Sequence, residues 1–187
     1  MYFFYTMYIW LMMQRIGELL IAKRNEKLLL QKGAFEIGGE HYKWIVGLHV
    51  SFFLSLLTEV VISSYSLSNY WPLWFSLFLL LQIGRIWTIY SLGIHWNTKV
   101  IILPNEKPIK KGPYRYMKHP NYLIVALELI VIPCLFEAYA TMIVFSLMNM
   151  ILMMIRIPLE EQGLNRWMEY GQHFSTQMRF FPKWNRK

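Results

Sequence analysis

Cysteine is nearly absent from this sequence, and charge is scarce. The one cysteine, Cys134, lies inside an apolar run and has no partner. That excludes a disulfide framework and a cysteine metal site, and leaves a packing role. Charged residues make up 16% of the chain and hydrophobic residues 56%, whereas an ordinary soluble domain is about a quarter charged. The imbalance points to lipid. The opening segment MYFFYTMYIWLMM lacks the cationic start and the small-residue cleavage site of a signal peptide, so it is expected to be mature structure. No internal repeat or low-complexity stretch interrupts the 187 residues, a length that suits one domain. The net charge of +8 does not imply nucleic acid, because the cations sit in short segments between long apolar runs. Anionic lipid headgroups are the expected neighbours.

Five apolar segments stand out, at 2–21, 44–63, 71–94, 122–136 and 138–155. A helix needs about 20 residues to cross a hydrocarbon core, which the fourth falls short of. Pro133 and the Phe136-Glu137-Ala138 break predict a tight helical hairpin from the last two. The expected fold is all-α and integral to the membrane, with about five membrane-embedded helices. The connection 22–43 carries Lys23, Arg24, Lys27, Lys32 and Lys43, and the connection 64–70 carries no charge. By the positive-inside rule the first is cytoplasmic and the N-terminus is outside. Alternation then puts 97–119, with Lys99, Lys107, Lys110, Lys111, Arg115 and Lys118, on the cytoplasmic side together with the tail 159–187. Within the single domain, residues 1–70 would supply the N-terminal helices and basic loop, and 71–187 a core for chemistry.

Ionisable groups inside membrane segments invite a functional reading. Arg15 and Glu18, three apart near a helix end, are expected simply to pair. For His49, Arg85, Glu59 and Glu128 the sequence leaves structural and functional roles both open.

Two polar stretches carry most of the information. The first is Lys111-Gly112-Pro113-Tyr114-Arg115-Tyr116-Met117-Lys118-His119-Pro120-Asn121-Tyr122, just before an apolar helix. Read plainly, it is a membrane entry: a Gly-Pro turn, tyrosines at headgroup depth, and a proline opening the helix. Read functionally, it sets a helix N-terminus, which suits a carboxylate, beside His119 and the tyrosines. The second is Arg156-Ile157-Pro158-Leu159-Glu160-Glu161, followed by Gly171 and Arg179-Phe180-Phe181-Pro182. Its plain reading starts a new helix at Pro158 with acidic residues in the first turn and Arg156 capping the helix before.

In order and spacing, the two stretches together resemble the isoprenylcysteine carboxyl methyltransferase family, over about 84–182. The family's Arg-His-Pro form stands here as Lys118-His119-Pro120. The resemblance implies an S-adenosylmethionine-dependent methyltransferase with its cofactor pocket on the cytoplasmic face, in a bacterial cell membrane. Carried over by position, the cofactor residues are Tyr114, His119, Pro120, Tyr122 and Glu160, with Lys107, Pro108 and Ile109 lining the nucleoside end. Arg156 faces the acceptor, and Pro158 is expected to interrupt the helix between Arg156 and Glu160.

The residue types suit that chemistry. Aromatic faces and a carboxylate hold a sulfonium cation, and an acidic acceptor oxygen needs no strong general base. Alignment then supplies the rate, since effective molarities of order 10⁵ M are available from positioning alone. The acceptor implied is lipophilic and enters from the bilayer: an alkylpyrone or phenolic lipid, or a prenylcysteine carboxylate. His-Pro-Asn-Tyr also occurs in membrane sterol reductases that use NADPH, against which the Arg-x-x-x-Glu-Glu element argues. A non-enzymatic membrane module is the third possibility.

Overall fold

The computed structural model describes residues 1–63, 66–168, 174 and 177–180. Among these residues five α-helices make the body: α1 (Tyr2–Gln31), α2 (Gly39–Ile62), α3 (Trp71–Leu92), α4 (Pro120–Leu135) and α5 (Tyr139–Met168). A two-stranded ribbon pairs β1 (Phe35–Ile37) with β2 (Val100–Ile102), antiparallel, with Phe35 opposite Ile102 and Ile37 opposite Val100. Helices α2, α3 and α5 are long and apolar enough to cross a membrane, and α4 is a shorter apolar helix.

The fold is apolar outside and partly polar inside. On α3 the buried positions are Phe78, Gln82, Arg85 and Thr88, while Leu79, Leu80, Ile83, Ile86 and Trp87 are exposed. An apolar face of that extent is stable against lipid, and the buried polar side chains must then satisfy one another. They do so in a four-residue charge cluster. Arg15 Nη1 is 2.7 Å from Glu18 and its Nη2 is 2.7 Å from Glu128, while Arg85 Nη1 is 3.0 Å from Glu18 and its other nitrogens bond Glu128. Gln82 adds an amide bond to Glu128 at 2.9 Å. The expected Arg15–Glu18 pair is therefore half of a neutral network joining α1, α3 and α4. Cys134 is buried, as a packing residue should be.

Glu59 has a structural role. Its carboxylate accepts bonds from the Ala140 and Thr141 amides, at 3.0 and 2.7 Å, and from the Thr141 hydroxyl. It thereby satisfies orphan N–H groups at the start of α5 from a different helix. The tight hairpin between α4 and α5 is present, closed by Ala138 N–H donating to Pro133 O at 2.9 Å, with Glu137 at φ +55°.

Two sequence expectations are corrected. The basic connection 22–43 is largely helix, because α1 continues to Gln31 through Lys23, Arg24 and Lys27. Ala, Lys, Arg, Glu, Leu and Gln are strong helix formers, and no glycine or proline stops them before Gly33. Nor does Pro158 end a helix or begin one: α5 is continuous from Tyr139 to Met168. An interior proline costs about 3 kcal/mol through its missing N–H and its clash with the carbonyl four residues earlier. Contacts on both sides hold it. Ile157 is buried, and Gly163 lies so close under the ribbon that a Cβ there would meet Ile102 Cδ1 at 2.9 Å and Ile37 Cδ1 at 3.0 Å. The ribbon is thus clamped beneath the end of α5, with Phe35 edge-on to Trp167 at 5.2 Å. Arg156, offered above as a cap, bonds across to other elements instead.

Candidate active site

The segment before α4 is shaped by one obligatory glycine. Gly112 has φ +53°, and a Cβ there would fall 2.0 Å from Ser91 Oγ and 2.8 Å from Trp87 Nε1. The chain can therefore press against α3 only with glycine at this point. A single turn of 3-10 helix (Gly112–Arg115) follows and buries Tyr114, whose phenol is held well above its ordinary pKa by burial and then by the nearby Glu160 charge. Tyr114 is a neutral hydroxyl at any physiological pH.

His119 precedes α4 at its N-cap position, and only 4% of it is exposed. Its Nε2 lies 3.1 Å from Glu161 Oε1 and its Nδ1 4.0 Å from Glu160 Oε1. A carboxylate only accepts, so Nε2 carries a proton and donates. The imidazole stacks on Tyr122 with centroids 5.4 Å apart. The Tyr122 hydroxyl donates to Glu160 Oε2 and accepts from Arg156 Nε at 3.3 Å. Arg156 Nη2 donates to Thr98 O at 3.1 Å, and its Nη1, also buried, has no partner among the described residues.

Residues 178–179 close over this corner. The amides of Lys118 and His119 donate to the carbonyls of Met178 and Arg179, each at 3.0 Å. Arg179 grips Glu161 with two nitrogens, at 3.1 and 2.7 Å, and that contact raises the guanidinium pKa further. Gly171, Phe181 and Pro182 of the second stretch lie outside the described residues.

Two cavities open here. A cleft of about 160 Å³ is lined by Lys107, Pro108, Ile109, Tyr114, His119, Tyr122 and Glu160 among others. Every candidate cofactor residue is in that lining except Pro120, which instead fills the first helical position of α4. Lys99 stands at its edge, held by Glu26 at 2.8 Å and Glu36 at 3.0 Å, and those bonds raise its pKa. The second cavity, about 320 Å³ and mostly apolar, runs between α1, α2, α4 and α5, and Arg156 lines it. Trp96, Asn97, Asn121 and Tyr122 belong to both linings, so the two cavities adjoin. At that junction Trp96 Nε1, Asn97 Nδ2, Asn121 Oδ1 and Arg156 Nη1 are buried without a hydrogen-bond partner among the described residues.

Buried polar atoms in native proteins are rarely left unpaired, so these are groups that a water or a bound molecule would meet. Sequence reasoning did not single out Trp96, Asn97 or Asn121, nor assign roles to Glu161 and Arg179. Asn121 and Glu161 stood inside the quoted motifs, whereas nothing local distinguishes Trp96 or Asn97.

The model of the isoprenylcysteine carboxyl methyltransferase (ICMT) family matches residues 74–166. The chain is 42% identical over 157 residues, 84% of its own length and 94% of the relative's, to the uncharacterized protein YpbQ of Bacillus subtilis (strain 168). It is 26% identical over 152 residues, covering 81% of itself and 88% of the relative, to an uncharacterized protein of Haemophilus influenzae. This chain belongs to the ICMT family. It is a membrane protein of a methyltransferase family, and all the candidate site residues, from Lys107 to Glu160, fall within the family match. Helices α1 and α2, which form one side of the apolar cavity, fall outside it.

Proposed function

We propose that this ICMT-family protein is an S-adenosylmethionine-dependent O-methyltransferase whose acceptor is a long-chain amphiphile with an acidic oxygen. The observation that carries the reading is the junction: a polar cleft and an apolar cavity adjoin at Trp96, Asn97, Asn121 and Tyr122, with unpaired buried polar atoms beside it.

The cleft suits the cofactor by its donor set. Glu160 offers a carboxylate, the stacked His119 and Tyr122 rings and Tyr114 offer aromatic surface, Lys107 offers a cation for a carboxylate, and Asn97 and Asn121 offer unpaired amide groups. When bound, S-adenosylmethionine supplies an electrophilic methyl on a sulfonium centre, open to direct displacement by an anionic oxygen. Arg156 holds the acceptor. Tyr122 and Thr98 occupy its Nε and Nη2, which fixes the guanidinium plane and leaves Nη1 for the acceptor oxygen. Because the acceptor is acidic, the positive charge of Arg156 keeps the oxygen ionised and no base is required.

The hydrocarbon tail occupies the apolar cavity and enters from the bilayer. An alkylpyrone or phenolic lipid is preferred over a prenylcysteine carboxylate. The site faces the cytoplasm of a bacterial cell membrane with the N-terminus outside, as the lysine and arginine distribution directs. One membrane domain does all of this, the first 70 residues completing a core formed by the rest.

Calorimetry on purified protein is expected to detect S-adenosylhomocysteine binding and no comparable NADPH binding. The reverse preference would move the chain to the sterol-reductase class. A radiolabelled methyl-transfer panel then ranks acceptors, and robust activity on farnesylcysteine analogues with none on hydroxylated lipids would reverse the preference stated here.

A further inference from the structure

The apolar cavity contains polar groups that a plain hydrocarbon tail would leave stranded. Most of its lining is aliphatic or aromatic, such as Met12, Ile45, Val50, Phe53, Val125 and Met153. Arg15, Glu18 and Arg85 also reach its wall, but with Glu128 they satisfy one another and ask nothing of a ligand.

His49 and Asn149 differ. His49 Nδ1 lies 2.8 Å from Ile45 O, and since a carbonyl only accepts, Nδ1 holds the proton and Nε2 is left as an acceptor. Asn149 is 4% exposed, lines the same cavity, and its amide makes no hydrogen bond to another described residue. An amide without a partner in a membrane bundle is costly, so this group calls for one.

The two residues sit at one level. Ser55 Oγ is 2.8 Å from Thr141 Oγ1, and Gly38 packs against Leu159, so α2 and α5 run antiparallel and place His49 level with the turn that holds Asn149, both lining the cavity. Asn149 is seven residues before Arg156 on one continuous helix, which at 1.5 Å per residue is about 10 Å deeper in the cavity.

We propose that His49 and Asn149 form a second recognition point in the acceptor cavity, taking a hydroxyl carried by the acceptor's chain about 10 Å from the oxygen held at Arg156. A hydroxyl is the group that serves both residues at once: its O–H donates to His49 Nε2 and its lone pair accepts from the Asn149 amide. The acceptor is therefore an oxygenated chain rather than a simple alkyl or prenyl tail. The selecting residue on α2 lies outside the family match, whereas Asn149 lies within it. The inference rests on the acceptor-cavity reading of the proposed function.

The test is a positional series of monohydroxylated hexadecanoic acids against hexadecanoic acid itself, bound to the full chain in detergent and read by intrinsic tryptophan fluorescence. Affinity is expected to peak for a mid-chain hydroxyl, by roughly tenfold over the unsubstituted acid, the net size of one well-placed hydrogen bond. Asn149→Leu and His49→Phe should each flatten the peak while S-adenosylhomocysteine affinity is retained. A wild-type series without a maximum overturns the proposal, and so does a maximum that survives both substitutions. The wild-type series needs no variant to fold. A clear peak in a protein that binds no S-adenosylhomocysteine would retire the methyltransferase reading and leave the recognition point standing.

Discussion

Arg156 and Glu160, one turn apart on α5, converge on a single hydroxyl. Tyr122 donates to Glu160 and accepts from Arg156. A cation facing the apolar cavity and an anion facing the polar cleft are thus coupled through one oxygen on α4. Had α5 broken at Pro158, this arrangement would not exist.

The two charges should separate by function. Glu160→Gln is expected to weaken S-adenosylhomocysteine binding by about 1–3 kcal/mol, the worth of a charged hydrogen bond. Arg156→Ala should leave that affinity nearly intact while methyl transfer collapses. Tyr122→Phe should damage both, since it strips a partner from each. Every variant is first compared with wild type for thermal stability in detergent, so that fold loss is not read as kinetics. Poor cofactor binding in stable Arg156→Ala, with normal binding in Glu160→Gln, would exchange the two roles.

The charge cluster makes a stability prediction. Arg85→Ala leaves Glu18 and Glu128 facing each other with only Arg15 between them, deep in a membrane bundle. Breaking a buried network by removing one partner costs about 3–5 kcal/mol. Arg85→Ala should therefore unfold at markedly lower temperature in detergent. A variant with an unchanged melting temperature would show that the cluster does not hold the bundle together.

Arg179 should behave in the opposite way. Its side chain is 49% exposed, so its pair with Glu161 adds only about 0–1 kcal/mol to stability. Its expected effect is on placement: Glu161 also binds His119, and the Arg179 carbonyl receives the His119 amide. Arg179→Ala should keep its melting temperature yet bind S-adenosylhomocysteine several times more weakly, and the weakening should shrink at high salt, where the exposed pair is screened in wild type too. Unaltered affinity at low salt would remove Arg179 from the site.

Orientation is tested by labelling single cysteines. Asn69 and Lys111 are both exposed, and Cys134 is buried. In intact cells a membrane-impermeant thiol reagent should label Asn69→Cys, and it should label Lys111→Cys only after the membrane is permeabilised. Labelling of both from the same side would refute the orientation.

Hydropathy is a property of short windows, and what depends on it was readable from the sequence alone. That covers the membrane class, the helices and the hairpin at Pro133 to Ala138, whereas the residues that line the cleft were indicated by the family resemblance of the two polar stretches. Tertiary structure decided the rest, because it turned on registers between distant segments. Glu128 reads as an isolated acid in an apolar run until α3 and α1 bring Arg85 and Arg15 against it. The strands Phe35–Ile37 and Val100–Ile102 are too short to announce themselves, and exist because each supplies the other's hydrogen bonds beneath α5. At Pro158 the local rule predicts a break. The packing of Ile157 and Gly163 and the bonds of Arg156 outweigh it, so the helix continues and brings Arg156 and Glu160 to the same tyrosine.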